Sequence, residues 1–235
     1  YLRTGHYTQL RFGSKGYNDF WREIFRRCRH GMTVNGYTIT GDNYYFLNFY
    51  RMKDSSGIEK AGSGRKEIFP KFEVAQYVYF HYIELCRYTH KNAIGLKARG
   101  VGFSEIGASL VCNSYQSVRN SRNVVIAYSE GLLDPTKDKC WLQLNFCNEC
   151  TDGGMVKLRQ EYDSDTHKKA SVKKVEKGRN IDTGFNSEIL MVTADKPSKI
   201  RGDRTDLIMY EESGSWPNFK KAWSTGEKLV GVTGN

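Results

Sequence analysis

The sequence of 235 residues predicts an α/β protein built on a mostly parallel sheet with helices on both faces. Five short apolar runs, bounded by turn-forming residues, show little polar alternation, which is typical of strands buried on both faces. A helical pattern lies between the first two runs and completes a β-α-β unit. The runs are residues 93–96, 123–127, 188–193, 206–210 and 229–232.

The residues before the sheet predict a small N-terminal α+β segment. A basic helix is expected over residues 19–30, with Asn18 as its N-cap and Gly31 as its C-cap. The pair Asn35-Gly36 lies in a stretch that alternates between polar and apolar residues, which predicts a β-hairpin over residues 32–40.

The chain is expected to divide after residue 67. Residues 53–67 are charged and rich in glycine, which predicts a loop, and residues 72–86 resume a helical pattern rich in Tyr and Phe. We therefore assign residues 1–67 to the N-terminal segment and its loop, and residues 68–235 to the sheet domain.

Charge and composition narrow the function classes. Lys and Arg outnumber Asp and Glu by 36 to 26, which favours a polyanionic partner, nucleic acid before membrane. The apolar runs are far shorter than the roughly 20 residues needed to cross a bilayer, so no membrane span is expected. The six cysteines follow no secretory signal and suit free thiols in a reducing cytoplasm. Because the chain starts without Met and stops after an apolar run, we expect it to be a fragment.

A glycine-rich turn joins the first predicted strand to the helix that follows. Residues 97–104 form this turn, where backbone N–H groups and the helix N-terminus can face an anion. The standard phosphate-loop pattern has lysine directly before the Ser or Thr, but Phe103 stands there and the cations are Lys97 and Arg99. The turn still supplies glycines for close approach to phosphate and a hydroxyl, on Ser104, for Mg²⁺. A plain basic turn is the alternative for this segment on its own. The candidate phosphate-binding residues are Lys97, Ala98, Arg99, Gly100, Val101, Gly102, Phe103 and Ser104.

Two adjacent glutamates end the fourth apolar run. Successive strand residues point to opposite sides, so Glu211 and Glu212 can take different tasks. One carboxylate can bind Mg²⁺ while the other contacts a water molecule. A solvated acidic turn is the alternative.

Together these segments resemble the ATPase domain of the large terminase subunits of tailed bacteriophages. Residues 97–104 look like the deviant Walker A motif of that family, with the lysine displaced to the start of the loop and an arginine within it. Residues 200–212 resemble its arginine-glycine segment and Walker B strand. Residues 45–49 are similar to a hydrophobic segment near the start of some members, and residues 232–235 look like the coupling motif. The resemblance spans roughly residues 40–235 and implies a P-loop NTPase of the ASCE, RecA-like type.

The resemblance implies a catalytic role for four residues. Glu212 stands at the position of the carboxylate that orients or deprotonates the attacking water. Glu211 replaces the usual Walker B aspartate and, with Ser104, is the expected Mg²⁺ ligand. Arg99 is the expected arginine finger, acting either in its own subunit or in a neighbouring one, with a ground-state phosphate ligand as the alternative.

The resemblance also implies an adenine pocket and a sensor. Gln76 and Tyr77 occupy a place compatible with the glutamine-containing segment that contacts adenine, although the Tyr77 ring equally suits a helical core position. Thr233 is the candidate sensor of the γ-phosphate.

The implied function is an ATPase motor that uses ATP and Mg²⁺ to translocate double-stranded DNA into a procapsid in the host cytoplasm. The implied partners are DNA, the portal protein and procapsid, a small terminase subunit and further copies of the chain in a ring, with no membrane. The family's C-terminal nuclease domain is expected to be absent from this chain, so it should not cut DNA. Two alternatives stay open: a helicase-like or repair DNA-dependent ATPase, and a basic clamp that binds nucleic acid without hydrolysing ATP.

Overall fold

The computed structural model describes residues 1–53, 67–96, 102–159, 163–194 and 204–227. The chain forms two compact units. The first comprises Tyr1–Leu110 and Leu142–Met155, and the second comprises Val111–Trp141 and Val156–Asn235. The domain boundary expected after residue 67 stays a prediction.

The first unit is mostly helical. It contains α1 (Lys15–His30), α2 (Gly41–Phe49) and α3 (Val74–Tyr88). Two short antiparallel pairs join them: β1 (Met32–Val34) with β2 (Tyr37–Ile39), and β3 (Met52–Lys53) with β4 (Glu67–Ile68). The chain then continues into α4 (Phe103–Ser117), whose last residues belong to the second unit.

The predicted N-terminal helix and hairpin are both present. Helix α1 begins four residues earlier than expected because Ser14, rather than Asn18, is its N-cap: the Ser14 hydroxyl accepts the N–H of Tyr17 at 3.2 Å. Gly31 ends the helix as predicted. The Asn35-Gly36 pair turns the hairpin between β1 and β2.

Residues 44–49, the aromatic run, form most of helix α2. Thr40 caps this helix by accepting the N–H of Asn43 at 3.2 Å. Tyr45, Phe46 and Phe49 are almost fully buried, and the ring of Phe46 lies 5.5 Å from that of Phe80 in α3. The aromatic run therefore builds the core of the first unit.

The second unit is built on a mixed sheet of four strands. They are β5 (Arg122–Ala127), β6 (His167–Lys169), β9 (Glu188–Thr193) and β10 (Leu207–Tyr210), in the order β10-β5-β9-β6. Strand β5 pairs in parallel with both β9 and β10, whereas β6 is antiparallel to β9. The three strands predicted here from apolar runs are confirmed, and the fold is a mixed α/β fold.

The other elements of the second unit were not predicted. Helix α5 (Glu130–Glu149), whose last residues belong to the first unit, follows β5, and α6 (Phe219–Glu227) follows β10. A separate antiparallel hairpin is formed by β7 (Val172–Glu176) and β8 (Arg179–Thr183).

The prediction of a strand at residues 93–96, the first strand of the β-α-β unit, is wrong. Residues 93–96 form no regular structure, and the side chains of Ile94 and Leu96 are 69% and 97% exposed. The described hydrogen bonds of the Ile94 backbone are to the Tyr82 hydroxyl, at 3.1 and 3.4 Å, and a single side chain cannot supply a strand ladder. The last predicted strand, residues 229–232, lies outside the described residues. In the part of the chain that is described, no helix is long and apolar enough to cross a membrane.

Candidate functional site

The end of the predicted phosphate loop is a glycine in the left-handed region. Lys97, Ala98, Arg99, Gly100 and Val101 lie outside the described residues. Gly102, which follows them, has φ +75°. Its carbonyl accepts the N–H groups of Glu105 and Ile106, both at 3.1 Å, so it caps the start of α4. A residue with a Cβ would be strained in this conformation.

The first turn of α4 offers a helix N-terminus after that glycine. The first N–H groups of a helix have no partner within the helix and carry its positive partial charge. The Phe103 ring packs 4.3 Å from the ring of Tyr79, and the Glu105 carboxylate accepts the hydroxyl proton of Tyr50 at 2.8 Å. Ser104, the predicted Mg²⁺ ligand, is half-buried between these two anchored residues.

The two predicted adenine-pocket residues have different surroundings. The amide nitrogen of Gln76 lies 3.7 Å from the position that a Cβ on Gly102 would occupy. The Gln76 Oε1 is buried and has no hydrogen-bond partner. Tyr77 instead donates its hydroxyl to the Thr38 carbonyl at 3.0 Å and packs its ring 4.5 Å from that of His81. The structure thus brings Gln76 to the end of the loop and ties Tyr77 to the hairpin of β1 and β2.

Glu211 and Glu212 lie at the carboxyl end of β10. The N–H of Glu211 donates to the Ile126 carbonyl at 2.8 Å, which continues the parallel pairing one residue beyond the strand. The side chains of the two glutamates differ: Glu211 is 7% exposed, whereas Glu212 is exposed and has φ +51°. The difference comes from this turn and not from strand alternation, because β10 has already ended at Tyr210.

Backbone carbonyls hold the turn that carries the two glutamates. The Trp216 indole donates to the Glu211 carbonyl at 3.0 Å, and Ser215 donates its N–H and its hydroxyl to the Glu212 carbonyl at 3.0 and 2.8 Å. Trp216 in turn packs in a buried cluster with Val124. The side chains of Trp216 and Ser215 therefore help to fix this turn through its backbone carbonyls.

The opposite end of the sheet is held by an ionic cluster. Glu188 pairs with Arg122 at 3.0 Å and with His167 at 2.9 Å. Burial raises the pKa of Glu188, but the hydrogen bond from His167 and the charge of Arg122 outweigh it and hold that pKa below its usual value. The Asp206 carboxylate accepts the backbone N–H of Arg122 at 2.7 Å. These contacts lie at the amino ends of β5 and β9 and fix the strand register.

Two further predicted features are the γ-phosphate sensor and the arginine-glycine segment. Thr233, the candidate sensor, and Arg201 of the segment lie outside the described residues, and Arg204 of the segment is exposed. Among the described residues, no group of three or more His, Cys, Asp or Glu side chains could hold a metal. Mg²⁺ bound with a nucleotide needs only one or two protein ligands because water and phosphate oxygens complete its shell. The buried carboxylate of Glu211, in the second unit, and the half-buried hydroxyl of Ser104, in the first unit, are each a type of group that binds Mg²⁺.

Two cavities in the described residues were not found from the sequence. One, of about 240 Å³, lies at the carboxyl end of β9, where Lys137 bridges Asp134 at 2.9 Å and Asp165 at 2.8 Å. Hydrogen bonds to Asp165 and Asp134 hold the pKa of Lys137 above its usual value. Only folding brings Lys137 and Asp165 together, so no local sequence pattern marks this group.

The second cavity, of about 420 Å³, lies at the C-terminal end of α1. Arg26, Arg27 and His30 from the helix and Thr33 and Thr38 from the hairpin line it. The sequence predicted a basic helix here and therefore the positive charge of this region. It did not predict the concave surface that the helix forms with the hairpin.

No protein-family model and no curated protein matches the chain. Among solved structures, the chain is similar to the large terminase ATPase domain of Thermus phage P74-26. An arginine-to-alanine mutant of that domain aligns with a TM-score of 0.41 and 14% identity over 55% of this chain and 53% of that one. The domain without that mutation aligns with a TM-score of 0.40 and 11% identity over 61% and 65%. The chain thus spans between about half and two thirds of the length of these solved domains.

Proposed function

We propose that this chain is the ATPase motor domain of a viral large terminase, which hydrolyses ATP to move double-stranded DNA into a procapsid. The observation that carries the proposal is Gly102, which caps α4 with φ +75° directly after the basic glycine-rich segment. A loop that ends in this way can present backbone N–H groups and a helix N-terminus to phosphate oxygens. The motif resemblance of residues 97–104 and 200–212 agrees with this assignment.

ATP and Mg²⁺ are the proposed cofactors. The loop residues from Lys97 to Ser104 would hold the phosphates, with Arg99 as the proposed arginine finger and Gln76 facing the base. Ser104 and Glu211 would hold the metal. When bound, Mg²⁺ neutralises charge that develops on the β- and γ-phosphate oxygens.

Glu212 is the proposed catalytic carboxylate. Its side chain is exposed to water, whereas that of Glu211 is buried, so the two adjacent glutamates are suited to different tasks. A carboxylate that meets water can orient it or accept its proton. The left-handed backbone of Glu212 costs conformational energy, which is a common feature of residues at functional turns.

The proposed partners are duplex DNA, the portal and procapsid, a small terminase subunit and further copies of the chain. Basic surfaces of the chain would bind the phosphates of duplex DNA without contacting the bases in a sequence-specific way. As in the family that the motifs resemble, the motor would act as a ring at the portal of a procapsid in the host cytoplasm, with a small terminase subunit and Thr233 as nucleotide sensor.

The test compares ATP binding with ATP turnover in two variants. Glu212→Gln should abolish turnover while ATP still binds, because the substitution removes a proton acceptor and not a phosphate contact. Lys97→Ala should weaken ATP binding itself. Glu84→Gln is the matched control, because Glu84 is an exposed carboxylate on α3 and should leave both properties unchanged. Turnover that survives in Glu212→Gln and Lys97→Ala would contradict the proposal.

A second candidate function is a nucleic-acid clamp without ATP hydrolysis. The exposure of residues 93–96 favours it, because a phosphate loop held by no paired strand lacks a rigid base. The two functions are separated by turnover of the wild-type chain: duplex DNA binding with no ATP hydrolysis, with and without DNA, selects the clamp.

A further inference from the structure

The cavity of about 420 Å³ at the C-terminal end of α1 contains none of the residues of the candidate nucleotide site. Its lining brings Arg26, Arg27 and His30 against the hydroxyl-bearing residues Thr33 and Thr38. Cations beside hydroxyl donors are the groups that bind phosphate oxygens. We call this surface the α1 groove.

The carboxylate of Glu23, one turn before the groove on α1, bonds to both of its arginines. Arg26 donates from Nε and Nη2 to Glu23 at 2.7 and 2.9 Å, and Arg27 donates from Nε to the same carboxylate at 2.8 Å. Hydrogen bonds from Arg26 and then Arg27 lower the pKa of Glu23 to about 2, so this anchor stays ionised at neutral pH. Arg27 also interacts with the Tyr44 hydroxyl. The two guanidinium groups carry more N–H donors than these partners use. The side chains of Arg26 and Arg27 remain 49% and 34% exposed.

The groove continues a basic stripe along α1. Lys15, Arg22, Arg26 and Arg29 are exposed and recur at intervals of seven, four and three residues, which places them on one face of the helix. Asp19 lies on the same face and pairs with Arg22 at 2.8 Å, so four cations outweigh one carboxylate there. A helix of 16 residues is about 24 Å long, which matches about seven base pairs of duplex at about 3.4 Å each. The stripe can therefore follow a DNA backbone to the groove.

The helix dipole does not explain affinity for an anion at this place. The C-terminal end of α1 carries a partial negative charge, so cations there stabilise the helix itself. Binding of a phosphate must come from the side chains, whose charge exceeds that of Glu23 even with His30 neutral.

A membrane surface fits this helix poorly. The apolar face of α1 is already buried in the first unit through Tyr17, Trp21, Ile24 and Cys28. An interfacial helix must place such a face among lipid chains. None of the large exposed apolar side chains of the described residues belongs to α1.

We infer that the α1 groove and its basic stripe bind phosphate groups of duplex DNA without reading base sequence. This inference rests on the proposed DNA-translocating function for its ligand, and it names the surface of the chain that would hold the DNA. It needs neither ATP nor the residues of the candidate nucleotide site.

The test is DNA binding by the full chain in the absence of nucleotide. Binding of a labelled duplex of about 30 base pairs is measured at several salt concentrations near 0.1 M. The double variant Arg26→Gln/Arg27→Gln should bind about tenfold more weakly and should lower the salt slope by about one to two, because one or two phosphate contacts are lost. The matched control is Lys71→Gln/Lys91→Gln, which removes the same charge from exposed positions outside the groove. We expect this control to bind within about twofold of the wild type and to keep its salt slope.

Further measurements separate a loss of phosphate contacts from an unfolding of α1. Thermal unfolding and far-UV circular dichroism of the double variant show whether α1 is intact, and Arg26→Lys/Arg27→Lys, which keeps the charge, should restore most of the binding. Equal losses in the groove variant and the control would overturn the inference, as would no DNA binding by the wild type. Arginine-dependent binding to phosphatidylserine vesicles but not to duplex DNA would also overturn it. Groove-dependent DNA binding by a chain with no ATP turnover would support the inference while contradicting the proposed motor.

Discussion

Two short apolar runs of this chain, residues 93–96 and strand β5, look alike in the sequence and have different structures. Both were predicted as buried strands that flank the same helix. Strand β5 has a parallel partner on each side and is buried from Asn123 to Ala127, whereas residues 93–96 are exposed and bonded through the hydroxyl of Tyr82. The comparison teaches that an apolar run is only a candidate strand, and that it becomes a strand where a neighbouring strand pairs with its backbone.

The largest expected effect is on the stability of the paired run. Ile126→Ala should lower the free energy of unfolding by about 2–5 kcal/mol, because Ile126 is 2% exposed within the buried cluster of the second unit. Ile94→Ala, at an exposed position, should change it by about 0.5 kcal/mol or less. Chemical denaturation of both variants measures the contrast, and equal losses would show that residues 93–96 are buried in solution.

The ionic cluster that holds β9 against β5 gives a smaller effect. Glu188→Gln should cost about 1–2 kcal/mol of unfolding free energy, because Arg122 and His167 both lose a charged partner. Since the folded pKa of Glu188 is lowered, this stability is present above the unfolded value of about 4.3 and is lost as the pH falls through the folded value. Wild type and variant should therefore become more similar in stability as the solution is acidified.

The control for this prediction is Glu176→Gln. Glu176 pairs with Lys174 at 3.1 Å on the exposed hairpin of β7 and β8, and exposed pairs of this kind contribute about 1 kcal/mol or less. A difference between wild type and Glu188→Gln that stays constant from neutral to acid pH would contradict the account of the cluster.

The smallest effect concerns the bond that holds the exposed run. Tyr82→Phe removes the hydroxyl that accepts the Ile94 N–H at 3.1 Å. The Ile94 amide should exchange its hydrogen about fivefold faster or less, since one such bond contributes about 1 kcal/mol. Tyr88→Phe, at a side chain that is 84% exposed, should leave the exchange unchanged. An Ile94 amide that is strongly protected in both variants would indicate that other groups pair with it.

Local chemistry explains which elements the sequence predicted well. Gly31, the Asn35-Gly36 pair and the runs at β5, β9 and β10 each act through neighbours in sequence or through continuous burial. Helix α5 was missed although it is 20 residues long, because polar and charged residues interrupt its apolar pattern and Pro135 lies within its first turns. The hairpin at Lys177-Gly178 was missed because its strands are charged and largely exposed.

The candidate site could be predicted only in part, because some of its features depend on packing between elements that are distant in the sequence. The glycine at the loop end and the pair Glu211-Glu212 are visible as sequence patterns, but the different burial of the two carboxylates follows from a turn that Trp216 and Ser215 hold. The proximity of Gln76 to Gly102 depends on how α3 packs, and no spacing in the sequence specifies that contact.

The most direct test of a nucleotide at the loop is hydrogen exchange of residues 94–106 with and without ATP and Mg²⁺. The account predicts slower exchange of this segment in the wild type and in Lys91→Ala, and loss of that protection in Lys97→Ala. Exchange that ATP leaves unchanged in the wild type, or slows equally in Lys97→Ala, would contradict it.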